Sequence, residues 1–398
     1  MRSTKCWFDH APRAPVRAIV SGICWLVGGV KVWRAKGVAT MKLAESPTRF
    51  GEHENAFGFL RLLFASLVIA SHIPEVVDGD SHREILHRLT GNMTLGSFAV
   101  WGFFVISGYL ITGSMLNTGS VRSYLVRRIA RIYPAFIAVS LVCLLVVMPL
   151  SGGDWLGGFN RGLITGITRM ALLARPVADH PFAGQNYSDY ASGLNGALWT
   201  IQYEFACYIL VLLLFGLGLF SRRLLIPALS VALITVATFA DHMLPSWFSR
   251  SYLFPASPSQ LLILPGIFLA GATFYLFRSS IQFTRVKTFL SLLGLMVCIC
   301  SPYTAPYGYA VFGSYLIFAA AKAGAGTWVG EINNRNDISY GVYLYAWPAE
   351  QLLIKYMGSA SLIALGLLTW LIASVAGWLS WKLVERPVLE LIRSRRQT

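Results

Sequence analysis

Two ionisable side chains lie on one face of an apolar segment near the start of the chain. The segment reads LRLLFASLVIASH, with Arg61 near its beginning and His72 at its end. In a helix their spacing is close to three whole turns, so both side chains share a face, about 16 Å apart along the axis. Histidine titrates near neutral pH and can act as a base or a nucleophile. In a membrane helix such groups mark functional sites, although His72 on its own fits an interfacial histidine equally well.

A carboxylate inside a later apolar segment, NGALWTIQYEFACY, is a second candidate. Glu204 shares one helical face with Thr200 and Tyr208, at spacings of four residues. A carboxylate in that position needs a partner, and Arg61 or His72 could supply one. The alternative role is a structural ion pair, because polar groups also hold membrane helices together.

An arginine-rich run, VRSYLVRRIARIYP, opens a third apolar segment. It places Arg127, Arg128 and Arg131 on adjoining helical faces, and Arg127 and Arg131 are neighbours four residues apart. Three guanidinium groups beside a helix N-terminus suit an anion such as a phosphate. Anchoring of a span at the cytoplasmic surface explains most such runs, so the run alone favours anchoring.

Three further segments carry polar residues with weaker claims to a function. SFAVWGFFVISGYLIT contains Gly108, which permits close helix packing, and Ser107, which lacks the GxSxG context of a serine nucleophile. DISYGVYLYAWP contains Tyr340 among tyrosines that are typical of an interfacial belt. KLVERP contains Glu385, which we expect to lie near the arginine-rich run and to pair with it.

The composition indicates which elements carry these residues. Apolar residues make up 55% of the chain and charged residues 13%, about half of the roughly 25% charged residues usual in soluble domains. A soluble chain of this composition would expose too much apolar surface. We therefore predict a polytopic membrane protein that folds as one all-α helical bundle. The net charge of +15 is spread among the apolar segments, which indicates membrane topology and argues against nucleic-acid binding.

Ten membrane spans are predicted from apolar segments of about 20 residues. They cover residues 57–76, 96–115, 132–150, 196–220, 224–240, 260–278, 286–302, 305–321, 338–356 and 360–384. Lys and Arg concentrate in the loops that are cytoplasmic if the first span starts inside the cell. Both termini are therefore predicted in the cytoplasm.

The segments outside these spans differ in character. Residues 1–40 are basic and irregular, and we interpret them as a mis-assigned start or a disordered extension, with the membrane domain at 41–398. The longest outside connection is 151–195, which contains a short helix candidate at Arg161–Ala174. Long loops of this kind are often functional. The six cysteines show no CxxC or metal-ligand spacing, so neither a disulfide framework nor a structural metal is expected.

In their order along the chain, six motifs resemble the acyltransferase 3 family of integral membrane acyltransferases. They are LRLLFASLVIASH, WGFFVISGYLI, RRIARIYP, NGALWTIQYEF, ISYGVYLYAWP and SWKLVERP. The resemblance extends over about residues 55–390. The resemblance implies ten or so helices and transfer of an acyl group, usually acetyl from cytoplasmic acetyl-CoA, to a hydroxyl of a carbohydrate or glycolipid acceptor. The acceptor class includes O-antigen and exopolysaccharide. No permanently bound cofactor and no metal are implied, and the expected location is the inner (cytoplasmic) membrane.

The resemblance also implies roles for particular residues. Those implied as catalytic are Arg61, His72 and Glu204; those implied as the donor-binding group are Arg127, Arg128 and Arg131; those with structural or substrate-positioning roles are Trp199, Tyr203, Ser107, Gly108, Tyr340 and Glu385. The chain departs from the family pattern at two places. Ala346 stands in the motif YLYAWP where many relatives carry histidine, and Trp101–Gly102 stands where many carry aspartate. A mechanism that needs a second histidine in YLYAWP fails for this chain.

We hypothesise a path from donor to acceptor across the membrane. The nucleotide end of CoA lies near the arginine-rich run, and the thioester arm enters past Arg61. His72, oriented by Glu204, then deprotonates the sugar hydroxyl, or first accepts the acetyl group itself. Another class stays open, a glycan or anion transporter or flippase in which these residues form a polar pathway. The absence of an evident internal repeat counts against inverted-repeat transporters. A third alternative is a catalytically silent scaffold.

Overall fold

The computed structural model describes residues 55–152, 169–174, 194–243, 258–334, 336–358 and 360–394. Within these ranges all regular secondary structure is helical. The basic extension at 1–40 lies outside the described residues. So do most of the 151–195 connection and most of its helix candidate Arg161–Ala174.

Helices occupy all ten positions at which spans were predicted. They are α1 (Phe57–Asp78), α3 (Leu95–Thr118), α4 (Val121–Leu150), α5 (Gly196–Gly216), α6 (Leu225–Met243), α7 (Pro258–Leu276), α8 (Arg285–Cys298), α9 (305–323), α11 (Ser339–Met357) and α12 (Leu362–Ser394). Two short helices lie between them, α2 (Ile85–Thr90) and α10 (Trp328–Glu331).

Six helices in the described part of the chain are long and apolar enough to cross a membrane by length and composition. These are α1, α3, α4, α5, α7 and α12. The helices at the other four predicted positions fall short of these criteria, and α8, with 14 residues, is shorter than the roughly 20 residues that a span needs.

Local sequence explains where several helices begin and end. The hydroxyls of Thr94 and Ser120 accept hydrogen bonds from backbone amides at the starts of α3 and α4, which satisfies donors left free at a helix N-terminus. Gly119 ends α3 in the left-handed conformation, with φ 61°, which favours glycine. Pro74 lies inside α1, which continues to Asp78.

Helices α1 and α11 run side by side in the same direction. Arg61 in the first turns of α1 pairs with Asp337, directly before α11, at 3.2 Å. Further along, the rings of His72 and Trp347 meet edge to face with their centroids 4.8 Å apart. The number of residues from Arg61 to His72 is similar to the number from Asp337 to Trp347, so the two helices keep the same axial register between these contacts. The face that carries Arg61 and His72 is therefore the face that packs on α11, as the spacing of these residues predicts.

Backbone-to-backbone contact joins α3 to α7. A Cβ atom added to Gly108 would lie 1.8 Å from the carbonyl oxygen of Phe268, and one added to Gly271 would lie 2.0 Å from that of Val105. Such distances leave no room for any side chain on either glycine. The packing role predicted for Gly108 is thereby explained, since small residues let membrane helices approach closely.

We expect Gly108→Ala to destabilise the fold, because its methyl group would force α3 and α7 apart. The expected loss is about 1–3 kcal/mol, typical of overpacking in a closely packed interior. Thermal unfolding of the purified protein in detergent measures it. Gly216→Ala is the matched control, since a Cβ atom there meets nothing within 4 Å; equal unfolding temperatures for the two variants would contradict the close contact.

Candidate active site

A cavity of about 120 Å³, with polar and apolar residues in its lining, lies among α1, α3, α4, α5 and α11. Its polar lining consists of Arg61, Ser107, Arg128, Arg131, Thr200, Glu204, Tyr208, Ser339, Tyr340 and Tyr343. Thr200, Glu204 and Tyr208 all contribute, as their shared helical face predicts. The cavity is smaller than the roughly 300–1,000 Å³ of sites that enclose a drug-sized ligand, so it has room for only a small part of a large substrate.

Asp337 is the centre of the charge network at one end of this cavity. Its carboxylate pairs with Arg61 at 3.2 Å and with Arg131 at 2.5 Å. Asn333 and Ser339 donate hydrogen bonds to its second oxygen, at 3.1 and 2.5 Å. Burial alone would raise the pKa of Asp337, but the two guanidinium groups and these hydrogen bonds hold that pKa below its usual range. Asp337 is therefore a carboxylate at neutral pH.

Arg131 has a second carboxylate partner, Glu385, at 3.4 Å. The side chain of Glu385 is 1% exposed, so this pair links α4 to α12 inside the protein. The ion pair expected between Glu385 and the arginine-rich run is present. Two arginines and two carboxylates thus neutralise one another in this network.

The three arginines of the arginine-rich run do not form one group. Arg128 lines the cavity and lies over the rings of Tyr124 and Tyr208, at 5.8 and 5.7 Å. Among the described residues it has no carboxylate partner. Arg127 instead donates a hydrogen bond to Thr118 and is absent from the cavity lining. Arg128 is therefore the cavity cation whose charge is available to an anion.

Glu204 makes different contacts from those expected. Its Oε1 accepts hydrogen bonds from Ser107, at 3.1 Å, and from Tyr208, at 2.6 Å. No bond to Arg61 or His72 forms in the described part of the chain. The expected orientation of His72 by Glu204 is not what this structure shows.

His72 lies about two helical turns away from Glu204. Its ring contacts Trp347, which in turn packs against Gly196 at the start of α5. Glu204 is eight residues further along that helix, about 12 Å along the axis. His72 is absent from the cavity lining, and its buried Nδ1 atom has no hydrogen-bond partner among the described residues.

Along the helix axes, Tyr343 lies between the cavity and His72. Its hydroxyl lies 2.7 Å from the Thr200 hydroxyl and donates to the carbonyl of Ala197 at 3.0 Å. Tyr343 is one helical turn before Trp347, and Thr200 is one turn after Gly196. A group that moves from the cavity to His72 would therefore pass Tyr343.

The remaining motif residues divide between packing and lining. The rings of Trp199 and Tyr203 pack on each other at 5.6 Å, and neither lines the cavity. Tyr340 does line it, with Arg131 over its ring at 5.6 Å. Ala346, where many relatives have histidine, is buried and brings no ionisable group. Trp101 packs against Tyr309 at 5.4 Å.

Sequence reasoning overlooked Asp337 as a site residue. A signal for it was available, because Arg61 and Arg131 begin apolar helices and need a counter-charge. Asp337 directly precedes the ninth predicted span, on the same predicted side of the membrane as both arginines. What the sequence could not supply was the adjacency of α1, α4 and α11.

The fold and the cavity define a multi-pass membrane protein with a charged internal site. A family model described as an acyltransferase domain matches residues 54–381. The chain belongs to the acyltransferase 3 family, and the protein is an acyltransferase.

The chain is also similar to a protein of Shigella phage Sf6 that is named an O-acetyl transferase. The two are 29% identical over 355 residues, which cover 84% of this chain and 96% of the phage protein. No solved structure matches the chain.

Proposed function

We propose that this protein transfers an acetyl group from acetyl-CoA to a hydroxyl of a cell-surface glycan. Family membership and the similarity to a phage O-acetyl transferase support an acetyl group and an oxygen acceptor. The observation that carries the proposal is the axial arrangement of the site. Arg128, a cation with no ion-pair partner among the described residues, lines a cavity at one level, and His72 lies at another level beyond Tyr343.

This arrangement suits a donor and an acceptor that arrive from opposite sides. CoA is anionic and cytoplasmic, and the Arg128 end of the cavity faces the predicted cytoplasmic side. The cavity volume fits the thioester end of CoA and leaves its nucleotide outside the bundle. His72, at the predicted outer end of α1, then faces the glycan, and the thioester end of CoA extends from the cavity past Tyr343 to reach it.

The reaction itself needs one base and one proton donor. His72 Nε2 takes the proton of the acceptor hydroxyl, whose oxygen attacks the thioester carbonyl carbon. The new C–O bond forms, and the C–S bond breaks with its electron pair on sulfur. The CoA thiolate then accepts this proton from the imidazolium, which gives the free CoA thiol and restores neutral His72.

Reconstitution of the purified protein in vesicles tests the proposal. Labelled acetyl-CoA is added on the side of the membrane that exposes the predicted cytoplasmic face, with a surface-glycan fraction as acceptor. We then expect release of the CoA thiol and transfer of the label to the glycan. Glycan from a deletion strain should lack the corresponding acetyl groups by mass and NMR analysis. Movement of glycan without acetyl-CoA consumption would indicate a flippase, and an unchanged glycan in the deletion strain would indicate a scaffold. Either result would overturn the proposal.

Arg128→Gln should raise the KM for acetyl-CoA about tenfold to a hundredfold, because a hydrogen bond to a charged group contributes about 1.5–3 kcal/mol. Initial rates at varied acetyl-CoA concentrations measure it. Arg127→Gln is the matched control, since Arg127 bonds Thr118 outside the cavity. A larger KM effect in the Arg127 variant than in the Arg128 variant would show that the donor binds elsewhere.

A further inference from the structure

A second pair of ionisable residues lies one turn beyond His72. Because α1 and α11 are parallel and His72 is level with Trp347, residues three positions further on each helix are level as well. These residues are Glu75 on α1 and Glu350 on α11.

Glu350 is the more unusual of the two. The residue is 1% exposed, and neither carboxylate oxygen has a hydrogen-bond partner among the described residues. Glu75 is partly exposed, so water can solvate its carboxyl group. An unpaired buried acid costs several kcal/mol. Groups kept at such a cost are found at functional sites.

Glu350 lies one helical turn beyond the contact between Trp347 and His72. Long side chains on a helix lean back toward its N-terminus, and on α11 that direction leads from Glu350 to Trp347. Trp347 touches the His72 ring, whose buried Nδ1 atom also has no hydrogen-bond partner in the part of the chain that the structure describes. A buried donor and a buried acceptor without partners thus lie at neighbouring levels of two packed helices.

We propose that Glu350 is the positioning residue for His72: in the reactive state its carboxylate accepts a hydrogen bond from Nδ1–H of the imidazole. That bond selects the tautomer in which Nε2 carries the lone pair, so Nε2 is free to take the acceptor proton. A carboxylate that orients a catalytic histidine has the same effect in hydrolases. The Nδ1 proton stays on the ring throughout. This inference rests on the proposed function, and it gives Glu350 the part that Glu204 does not play.

The test is Glu350→Met, which removes the acceptor and keeps the length of the side chain. We expect kcat to fall about a hundredfold, within the range of general-base effects, with the KM for acetyl-CoA unchanged. The unfolding temperature should stay the same or rise, because an unpaired buried acid has been replaced by an apolar group. A residue that only held the helices together would lower the unfolding temperature when removed.

Two comparisons keep the test specific. Thr369→Val removes another buried polar group without a partner, on α12, and should leave kcat unchanged. Glu75→Gln should lower kcat far less than Glu350→Met. In a His72→Ala background Glu350→Met should cost less than twofold further, because a residue that acts through His72 has nothing left to position.

Several outcomes would overturn the inference. These are a normal kcat for Glu350→Met, an additive loss in the double variant, or a larger loss in Glu75→Gln than in Glu350→Met. Failure of the proposed function is recognised separately, since His72→Ala itself would then retain acetyl transfer.

Discussion

His72→Ala is expected to lower kcat for acetyl transfer by about 10²–10⁴-fold, the usual contribution of a positioned general base. The KM for acetyl-CoA should change little, because the donor contacts proposed here lie in the cavity and His72 lies outside it. Initial rates with the reconstituted protein separate the two constants. Normal transfer by this variant would exclude both versions of the His72 mechanism.

The control for this variant is a histidine of the same chain outside the bundle. His82 is exposed, and its ring contacts that of His87 with the centroids 5.8 Å apart. His82→Ala should keep full activity. Equal losses in both variants would indicate a general effect of histidine removal on folding.

The two versions of the mechanism differ in what accumulates without acceptor. If His72 accepts the acetyl group first, labelled acetyl-CoA alone should leave an acetyl-histidine on the protein and release CoA thiol. Direct transfer predicts no release before the glycan is added. Rapid acid quenching followed by peptide mass analysis decides between them, and the His72→Ala variant provides the blank.

Asp337→Asn is expected to destabilise the protein by about 1–3 kcal/mol, because it removes the shared carboxylate partner of two partly buried guanidinium groups, whose side chains are 27% and 23% exposed. The asparagine would leave Arg61 without a carboxylate and Arg131 with only Glu385. Because both arginines line the cavity, acetyl transfer should also fall. Thermal or denaturant unfolding in detergent, together with initial rates, measures both effects.

The surface pair of Asp78 with Arg83 provides the matched control. Arg83 is 53% exposed, about twice as exposed as Arg61 or Arg131, and exposed pairs contribute about 0–1 kcal/mol. Asp78→Asn should therefore leave both unfolding and activity near the wild-type values. Similar unfolding temperatures for Asp337→Asn and Asp78→Asn would contradict the central role of Asp337.

The pH dependence of stability gives an independent check on Asp337. Its folded-state pKa is depressed, so its contribution is fully present above the unfolded-state pKa of about 3.9. The contribution is lost only as the pH falls through the lower folded-state value. The stability difference between wild type and Asp337→Asn should therefore be constant from pH 7 to about pH 5 and shrink under stronger acid. A difference that vanished at pH 6 would assign the stabilisation to another group.

Much of the fold was predictable because helical and membrane patterns are local. Apolar segments of sufficient length marked the positions of all ten helices, and the motifs in their order indicated the family. Periodicity also placed Arg61 and His72 on one face and Glu204 beside Thr200 and Tyr208 on another. Each of these predictions needs only the 3.6-residue repeat and the cost of exposing apolar surface.

Partnerships between helices were not predictable in the same way. The sequence suggested His72 or Arg61 as the partner of Glu204, and three arginines as one anion site. The partner of Arg61 proved to be Asp337, Glu204 bonds Ser107, and Arg128 lines the cavity without an ion-pair partner among the described residues. Which groups meet depends on which helices are neighbours and at what axial level.

Those neighbours and levels are set by contacts that no single segment contains. The close approach at Gly108 brings α3 against α7, and the pairing of Arg61 with Asp337 sets α1 level with α11. From the sequence alone came the membrane class, the helices, the family and the polar residues that could react. Only the tertiary structure showed that His72 is separated from Glu204 by about two turns and that Glu350 lies one turn beyond His72. The reason is that axial register is a property of helices packed together and is not contained in the sequence of a single helix.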